Sequence, residues 1–161
     1  MTPLDARGGG APSPEVLAFQ GLPHRPPMRL VEAVASITPG ERARATRVAH
    51  PDDFYFQGHF PGLPVVPAVI LVEMLAQTGG MAACSGDVPA PPGGLRLAAI
   101  GGFKFPAAAG PGDLLEATAW VAGRAFGLIK IEGEVTANGR LVAAGGLTLA
   151  PGPPPDGTSP A

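Results

Sequence analysis

One apolar stretch constrains the fold of this chain more than any other feature of the sequence. Between Phe54 and Gly86 the only formally charged side chain is Glu73. Residues 67–84 have the length of a helix, and Pro67 suits its first position because that position needs no backbone N–H. Apolar residues fall on nearly all its faces, so we expect the helix to be buried. A neighbouring layer is expected to approach it closely at its small residues, which are Ala76, Gly79, Gly80 and Ala83.

Six other stretches carry strand patterns. The first two flank the turn signal TPGE at 38–41 and predict a hairpin, although the first is compatible with a helix as well. The last two flank Asn138-Gly139, a strong hairpin signal. About six strands and one apolar helix predict an α+β fold, in which an antiparallel sheet wraps around the helix. The stretches are 28–37, 41–49, 95–105, 114–123, 126–136 and 140–149.

Both ends of the chain are rich in glycine and proline. Of the 24 glycines and 21 prolines, six fall within 1–14 and seven within 151–161. Both segments are predicted to be solvated tails, the first of them disordered. The 161 residues amount to about one domain, which we expect to span 15–150.

The charge and cysteine content exclude several classes of protein. Eleven Lys and Arg against 13 Asp and Glu give a net charge of −2 without a cationic run, so no nucleic-acid partner is expected. A single cysteine, Cys84, cannot form an intramolecular disulfide. The N-terminus lacks the apolar core of a signal peptide, and the longest apolar stretch is interrupted by proline, glutamate and glycine, so no membrane span is expected. We therefore expect a cytoplasmic protein.

Glu73 and His59 are candidates for acid–base chemistry. A buried lone carboxylate is costly unless it is paired or protonated, and a histidine in the preceding loop supplies a second titratable group. Two structural interpretations stay open. Glu73 and His59 could both be exposed, or Glu73 could be a structural group bonded to Gln77, four residues later.

The start of the predicted helix adds a third element. Ala68 and Val69 have free amides at the positive end of the helix dipole, where they suit a developing oxyanion. Every helix has this feature, so its specificity is weak by itself.

The segment 57–80 resembles the bacterial 3-hydroxyacyl-[acyl-carrier-protein] dehydratases of the hot-dog fold. The family pattern G-H-F-P-x-x-P-x-x-P-G precedes a helix that carries an acid, an alanine and a glutamine. Segments 22–32, 103–119 and 139–150 are similar to further parts of the family. The matching positions in 57–80 are Gly58, His59, Phe60, Pro61, Pro64, Pro67, Glu73, Ala76 and Gln77.

This resemblance implies a β-elimination without a metal or an organic cofactor. His59 would remove the α-proton of a 3-hydroxyacyl thioester, and Glu73 would assist departure of the 3-hydroxyl group, by protonation or through an ordered water. The amides of Ala68 and Val69 would hold the thioester oxygen, and Gln77 would keep Glu73 in register. In having a glutamate at this position, the chain resembles the branch of the family that dehydrates the substrate without isomerising the double bond.

The resemblance also implies the surroundings of the site. Val65, Val66 and Ile70 would line an apolar acyl tunnel, whose dryness pushes Glu73 towards its protonated form. Acyl-carrier protein would be the partner that bears the substrate. The chain would form a homodimer or a larger homo-oligomer, in which His59 of one subunit meets Glu73 of the other.

Two features leave other interpretations open. Ala68 stands where the family has glycine, and its methyl group could crowd the thioester. The pair His24-Arg25 could shape the dimer or the tunnel, or be a solvated pair that fixes the N-terminal segment, and it is given no catalytic role. The alternatives are a hot-dog acyl thioesterase, an acyl-CoA hydratase, and a non-catalytic acyl-binding or assembly subunit.

Overall fold

A computed structural model describes residues 22–154 of the chain. Within them lie six strands and one long helix, and a short 3-10 turn at Phe54–Phe56 precedes the helix. The predicted tail 1–14, residues 15–21 of the predicted domain and residues 155–161 lie outside the described part. The elements are β1 (Ala33–Thr38), β2 (Arg42–Val48), α1 (Ala68–Ala83), β3 (Leu95–Lys104), β4 (Leu114–Ala125), β5 (Leu128–Ala137) and β6 (Arg140–Pro151).

The six strands form one antiparallel sheet in the order β1-β2-β4-β5-β6-β3. Helix α1 packs against β2, β4, β5 and β6. Shifts of register interrupt four of the five strand pairs, and such irregularities let a sheet bend around a helix. The predicted α+β fold, a curved antiparallel sheet around one helix, is confirmed.

Both predicted hairpins are present. Strands β1 and β2 pair across the turn at 39–41. Asn138 and Gly139 join β5 to β6 with positive φ angles of 49° and 82°, the backbone that a tight hairpin turn requires. The Asn138 side chain accepts a hydrogen bond from the N–H of Leu114 at 2.9 Å and donates one to Asp113 at 2.8 Å. These bonds connect the turn to the start of β4.

The predicted burial of the helix is confirmed. Helix α1 begins directly after Pro67 and ends before Cys84, one residue inside the predicted range at each end. Most of its side chains are buried, and Glu73 and Gly80 are half-buried. Among residues 22–154, no helix is long and apolar enough to cross a membrane.

Helix and sheet approach each other closely at Gly79. A Cβ atom there would lie 2.7 Å from Cγ2 of Ile131, a fully buried and stiff side chain on β5. The neighbouring Gly80 has open space instead, since a Cβ atom there meets nothing within 4 Å. The predicted close approach is therefore confirmed for Gly79 only.

This difference between adjacent glycines predicts opposite effects on stability. We expect Gly79→Ala to lower the free energy of unfolding by about 1–3 kcal/mol, because the methyl group forces β5 away. Gly80→Ala should be neutral or raise it by up to about 1 kcal/mol, because alanine favours the helix. Urea unfolding of both variants measures the difference, and equal effects would contradict the close contact with Ile131.

Candidate active site

One face of α1 forms the wall of a cavity of about 220 Å³. The helix residues that line the cavity are three or four positions apart, so they lie on one face of the helix and border the same space. Residues 22–24, called the N-terminal segment below, lie across this face, and β3 and β6 complete the wall. The helix contributes Glu73, Ala76, Gln77 and Gly80, and the other residues are Leu22, Pro23, His24, Cys84, Ala90, Leu95, Arg96, Leu97 and Leu149.

Glu73 lies in this cavity with 26% of its side chain exposed. The amide Nε2 of Gln77 donates a hydrogen bond to its Oε1 at 3.0 Å, and Nε2 of His24 lies 3.2 Å from the same oxygen. Burial raises the pKa of Glu73, but the hydrogen bonds from His24 and Gln77 and the charge of His24 outweigh it, so the net pKa lies below its ordinary value. The expectation that Glu73 tends towards its protonated form is therefore wrong, because two donors reach its carboxylate.

Gln77 is fixed from both sides. Its Oε1 accepts a hydrogen bond from the N–H of Leu30 at 2.8 Å, and its Nε2 donates to the carbonyl of Met28 at 2.7 Å as well as to Glu73. This buried amide therefore joins the helix to the segment before β1. Its position beside Glu73 is the one that the resemblance implies for it.

His59 follows the 3-10 turn and lies in a loop that folds back on itself. Its Nδ1 lies 3.0 Å from the carbonyl oxygen of Val65, and the N–H of Val65 donates to the carbonyl of His59 at 2.8 Å. Because a carbonyl only accepts, Nδ1 carries the proton in this contact. The other ring nitrogen, Nε2, is thereby left with its lone pair, the form that a base requires.

His59 lines a second cavity, of about 320 Å³. The predicted tunnel residues Val65 and Val66 line it with His59, and so does Ala68 at the start of α1. The predicted tunnel residue Ile70 is buried in the core and is not among the residues that line either of these two cavities. Leu71 lines the second cavity from the same helix.

The predicted amide donors lie at the exposed start of the helix. Ala68 and Val69 are both exposed, Val69 by 72% of its surface. Their N–H groups precede the first intrahelical donors, and the N–H groups of Ile70 and Leu71 already bond to the carbonyl of Pro67. The amides of Ala68 and Val69 are therefore available to an oxygen atom from outside the helix.

Within one chain the predicted residues form two groups. Glu73 and Gln77 share the first cavity, whereas His59, Val65, Val66 and Ala68 share the second. The meeting of His59 with Glu73 across two subunits stays a prediction. Among residues 22–154, no three His, Cys, Asp or Glu side chains are grouped so that they could hold a metal ion.

His24 is the site residue that the sequence reasoning missed. The sequence assigns it no catalytic role, yet its imidazole contacts Glu73. The available signal is its place in segment 22–32, which resembles a part of the family. His24 precedes Glu73 by 49 positions, so neither helical nor strand periodicity could connect them.

Comparisons with known proteins agree with the resemblance. The family model of the FabA-like domain matches residues 22–145. The chain is 38% identical over 137 residues to the 3-hydroxyacyl-[acyl-carrier-protein] dehydratase FabZ of Roseiflexus sp. (strain RS-1), covering 84% of this chain and 93% of that protein. It is 43% identical over 102 residues to the protein of the same name from Chloroflexus aggregans, covering 63% and 68%.

Solved structures show the same fold at low sequence identity. The dehydratase heterocomplex ApeI:P from Xenorhabdus doucetiae has a TM-score of 0.69 at 18% identity, with 86% of this chain and 91% of that chain covered. A mutant of the phenylacetic acid degradation protein PaaI from Thermus thermophilus has a TM-score of 0.56 at 18% identity, with 74% and 92% covered. This likeness confirms the hot-dog fold.

Proposed function

The chain belongs to the FabA-like family, and we propose on this premise that it removes water from (3R)-3-hydroxyacyl-[acyl-carrier-protein] by means of His59 and Glu73. The product is the trans-2-enoyl thioester, an intermediate in the building of fatty acids or related acyl chains. One observation carries the assignment of the base. The Nδ1–H of His59 is held by the carbonyl of Val65, which leaves Nε2 free to accept a proton.

The elimination begins at the α-carbon of the thioester. Nε2 of His59 takes the α-proton, and the electron pair of that C–H bond moves towards the carbonyl oxygen. The amides of Ala68 and Val69 stabilise the negative charge on this oxygen. Both donors survive at the helix start even though Ala68 replaces glycine, because alanine keeps its N–H.

The second half of the reaction breaks the bond between C3 and the hydroxyl oxygen. As the double bond forms between C2 and C3, the hydroxyl group needs a proton in order to leave as water. The lowered pKa of Glu73 favours its carboxylate form, which accepts a hydrogen bond from the hydroxyl group and orients it. The proton taken by His59 then passes to the leaving oxygen, so the reaction needs no external proton.

A second copy of the chain completes this site in our proposal. His59 and Glu73 line different cavities of one subunit. Apolar side chains lie exposed near His59, with 53% of Phe60 and 68% of Leu63 accessible, and β3 forms an edge of the sheet with Ile100 58% exposed. Apolar patches and open strand edges are surfaces that a partner covers. A homodimer therefore accounts for both the divided site and these surfaces.

The chemistry of the first cavity supports a position for the acyl chain of the substrate. Its wall beyond Glu73 is mainly apolar, with Leu95 and Leu97 from β3 and Leu149 from β6, and it suits an acyl chain. We propose that the acyl chain enters here from acyl-carrier protein, and that the enzyme works in the cytoplasm.

The proposed activity is tested with the crotonyl thioester of acyl-carrier protein. We expect the absorbance of the enoyl thioester to fall as water adds, without release of free thiol, since the dehydration is reversible. Release of thiol without enoyl hydration would instead identify a thioesterase. Tight binding of the thioester with neither reaction would identify an acyl-binding subunit. The same assay with the CoA thioester compares the two carriers.

A further inference from the structure

The segment that carries His24 is fastened across the helix face of Glu73. Arg25 holds its backbone from one side, since Nη1 donates to the carbonyls of Pro23 and His24 at 3.2 and 2.9 Å. Gln77 holds it from the other side through the backbone of residues 28 and 30. The backbone that carries His24 is therefore fixed at two places, and this holds the imidazole beside Glu73.

The two nitrogens of the His24 ring have different surroundings. Nε2 lies 3.2 Å from Oε1 of Glu73, whereas Nδ1 is buried and has no hydrogen-bond partner within the described part of the chain. A proton on Nδ1 would be a buried donor without an acceptor, which is costly. In the neutral ring the geometry therefore places the proton on Nε2, where it is donated to Glu73.

We propose that His24 is a positioning residue for Glu73, and this inference rests on the proposed dehydratase function. His24 and Gln77 both bond to Oε1, so Oε2 takes no part in these two bonds. That oxygen is left to accept a hydrogen bond from the 3-hydroxyl group of the substrate. The pair of donors fixes the plane of the carboxylate, and loss of either donor frees it to rotate.

The pH dependence of the activity that follows from this proposal is determined by the titratable and charged groups around Glu73. The first cavity contains His24 from the N-terminal segment, Arg96 from β3 and Cys84 at the end of α1. Burial raises the pKa of the Cys84 thiol, although the charge of Arg124 opposes the shift. In the dimer that we propose, the imidazole of His59 from the second copy of the chain also faces Glu73. Since the bond from His24 lowers the pKa of Glu73, its removal should raise that pKa.

The test compares His24→Leu with His24→Gln in the crotonyl thioester assay, across the pH range in which the protein is folded. Leucine removes the donor, whereas glutamine retains an N–H2 group that can reach Oε1. We expect kcat of the leucine variant at neutral pH to fall about 10- to 100-fold, the range for loss of a hydrogen bond to a charged group. The acid limb of its kcat profile should move to higher pH, since Glu73 now gains a proton more readily. The glutamine variant should recover most of kcat and of the acid limb.

His50→Leu is the matched control. His50 also contacts a glutamate, with Nε2 at 2.5 Å from Oε1 of Glu32, but this pair is half-exposed and lies outside both cavities. We expect its kcat and its pH profile to equal those of the wild type.

Two further comparisons separate a positioning role from a structural one. In a Glu73→Gln background, His24→Leu should cause no further loss of activity, because the carboxylate that it positions is gone. The inference is overturned if His24→Leu lowers only the melting temperature or raises only KM, with an unchanged acid limb. Failure of glutamine to rescue kcat would overturn it as well. An inactive wild-type enzyme would instead refute the proposed function itself.

Discussion

His59→Ala and Glu73→Gln are each expected to lower the hydration rate by about 10²- to 10⁴-fold, the contribution typical of a positioned base or acid. A dimer that contains one chain of each variant is expected to regain about half of the wild-type activity. In such a dimer, one site receives an intact His59 from one chain and an intact Glu73 from the other. The second site then receives both substitutions, as the two-fold symmetry requires.

The physical basis of this expectation is the division of the site in a single chain. His59 shares its cavity with Val66 and Ala68, whereas Glu73 shares its cavity with Gln77 and His24. The elimination that we propose needs both groups at one substrate, so neither cavity of a single chain supplies both of them. The mixed dimer is the arrangement that restores both groups to one substrate.

The measurement uses chains with two different affinity tags, co-expressed and purified by both tags in sequence. Dimers of His59→Ala with His59→Ala, carrying the same two tags, provide the control and should stay inactive. If the mixed dimer is as inactive as this control, both residues serve a site within one subunit. Equal activity of the single variants and the wild type would discard both assignments.

Arg47→Met is expected to lower the free energy of unfolding by about 3–5 kcal/mol, the cost of removing one partner from a buried ion pair. Arg47 extends from β2, where Nη2 pairs with Asp53 and Nη1 lies 3.4 Å from Oε1 of Glu32. Only 11% of the Arg47 side chain and 11% of the Asp53 side chain are exposed. The substitution leaves the carboxylate of Asp53 buried without its counter-charge.

Asp53 also has neutral partners that remain in the variant. Its Oδ2 accepts hydrogen bonds from the Tyr55 hydroxyl at 2.7 Å and from the N–H of His50 at 2.9 Å. Burial, together with the bond and charge of Asp53, raises the pKa of Tyr55 above its usual range, although Arg47 opposes the shift. These donors partly offset the loss of Arg47, which keeps the expected effect within the stated range.

Arg44→Met provides the control on the same strand. Arg44 pairs with Glu116 at 2.8 Å, but the two side chains are 42% and 32% exposed, so we expect a loss below about 1 kcal/mol. Chemical denaturation of both variants gives the comparison. The double variant with Arg47→Met and Asp53→Asn should be more stable than Arg47→Met alone, since no unpaired charge stays buried. Equal losses at Arg44 and Arg47 would contradict the role of burial.

The main elements of the fold could be predicted because their signals are local. The apolar stretch around Glu73 marks the helix, and Asn138-Gly139 marks a turn whose φ angles few other residues adopt. The orientation of the helix about its own axis could not be predicted. A helix that is apolar all round has no sequence pattern that tells which face meets the sheet and which faces a cavity. Ile70, which the resemblance assigns to the acyl tunnel, is buried in the core of the single chain, and its place in a tunnel stays a prediction.

The electrostatics of the site depend on contacts between distant segments. The chemistry of Glu73 could be suspected from its isolation among apolar residues, but the sign of its pKa shift depends on two donors. One of them, Gln77, lies one helical turn away and is identifiable from the sequence. The other, His24, lies in a segment whose backbone is held by Arg25 and, at residues 28 and 30, by Gln77. No local sequence pattern predicts that Glu73, Gln77 and His24 come together.

The adjacent glycines of α1 restrict how the first cavity can be enlarged. On one side of the helix, Gly79 already lies against Ile131, so the helix has no room to retreat towards β5. On the other side, Gly80 borders the cavity, with open space where a Cβ atom would lie. If the acyl chain occupies this cavity as we propose, a preference for longer or shorter substrates arises from larger or smaller side chains at the cavity wall, because the position of the helix is fixed by the sheet.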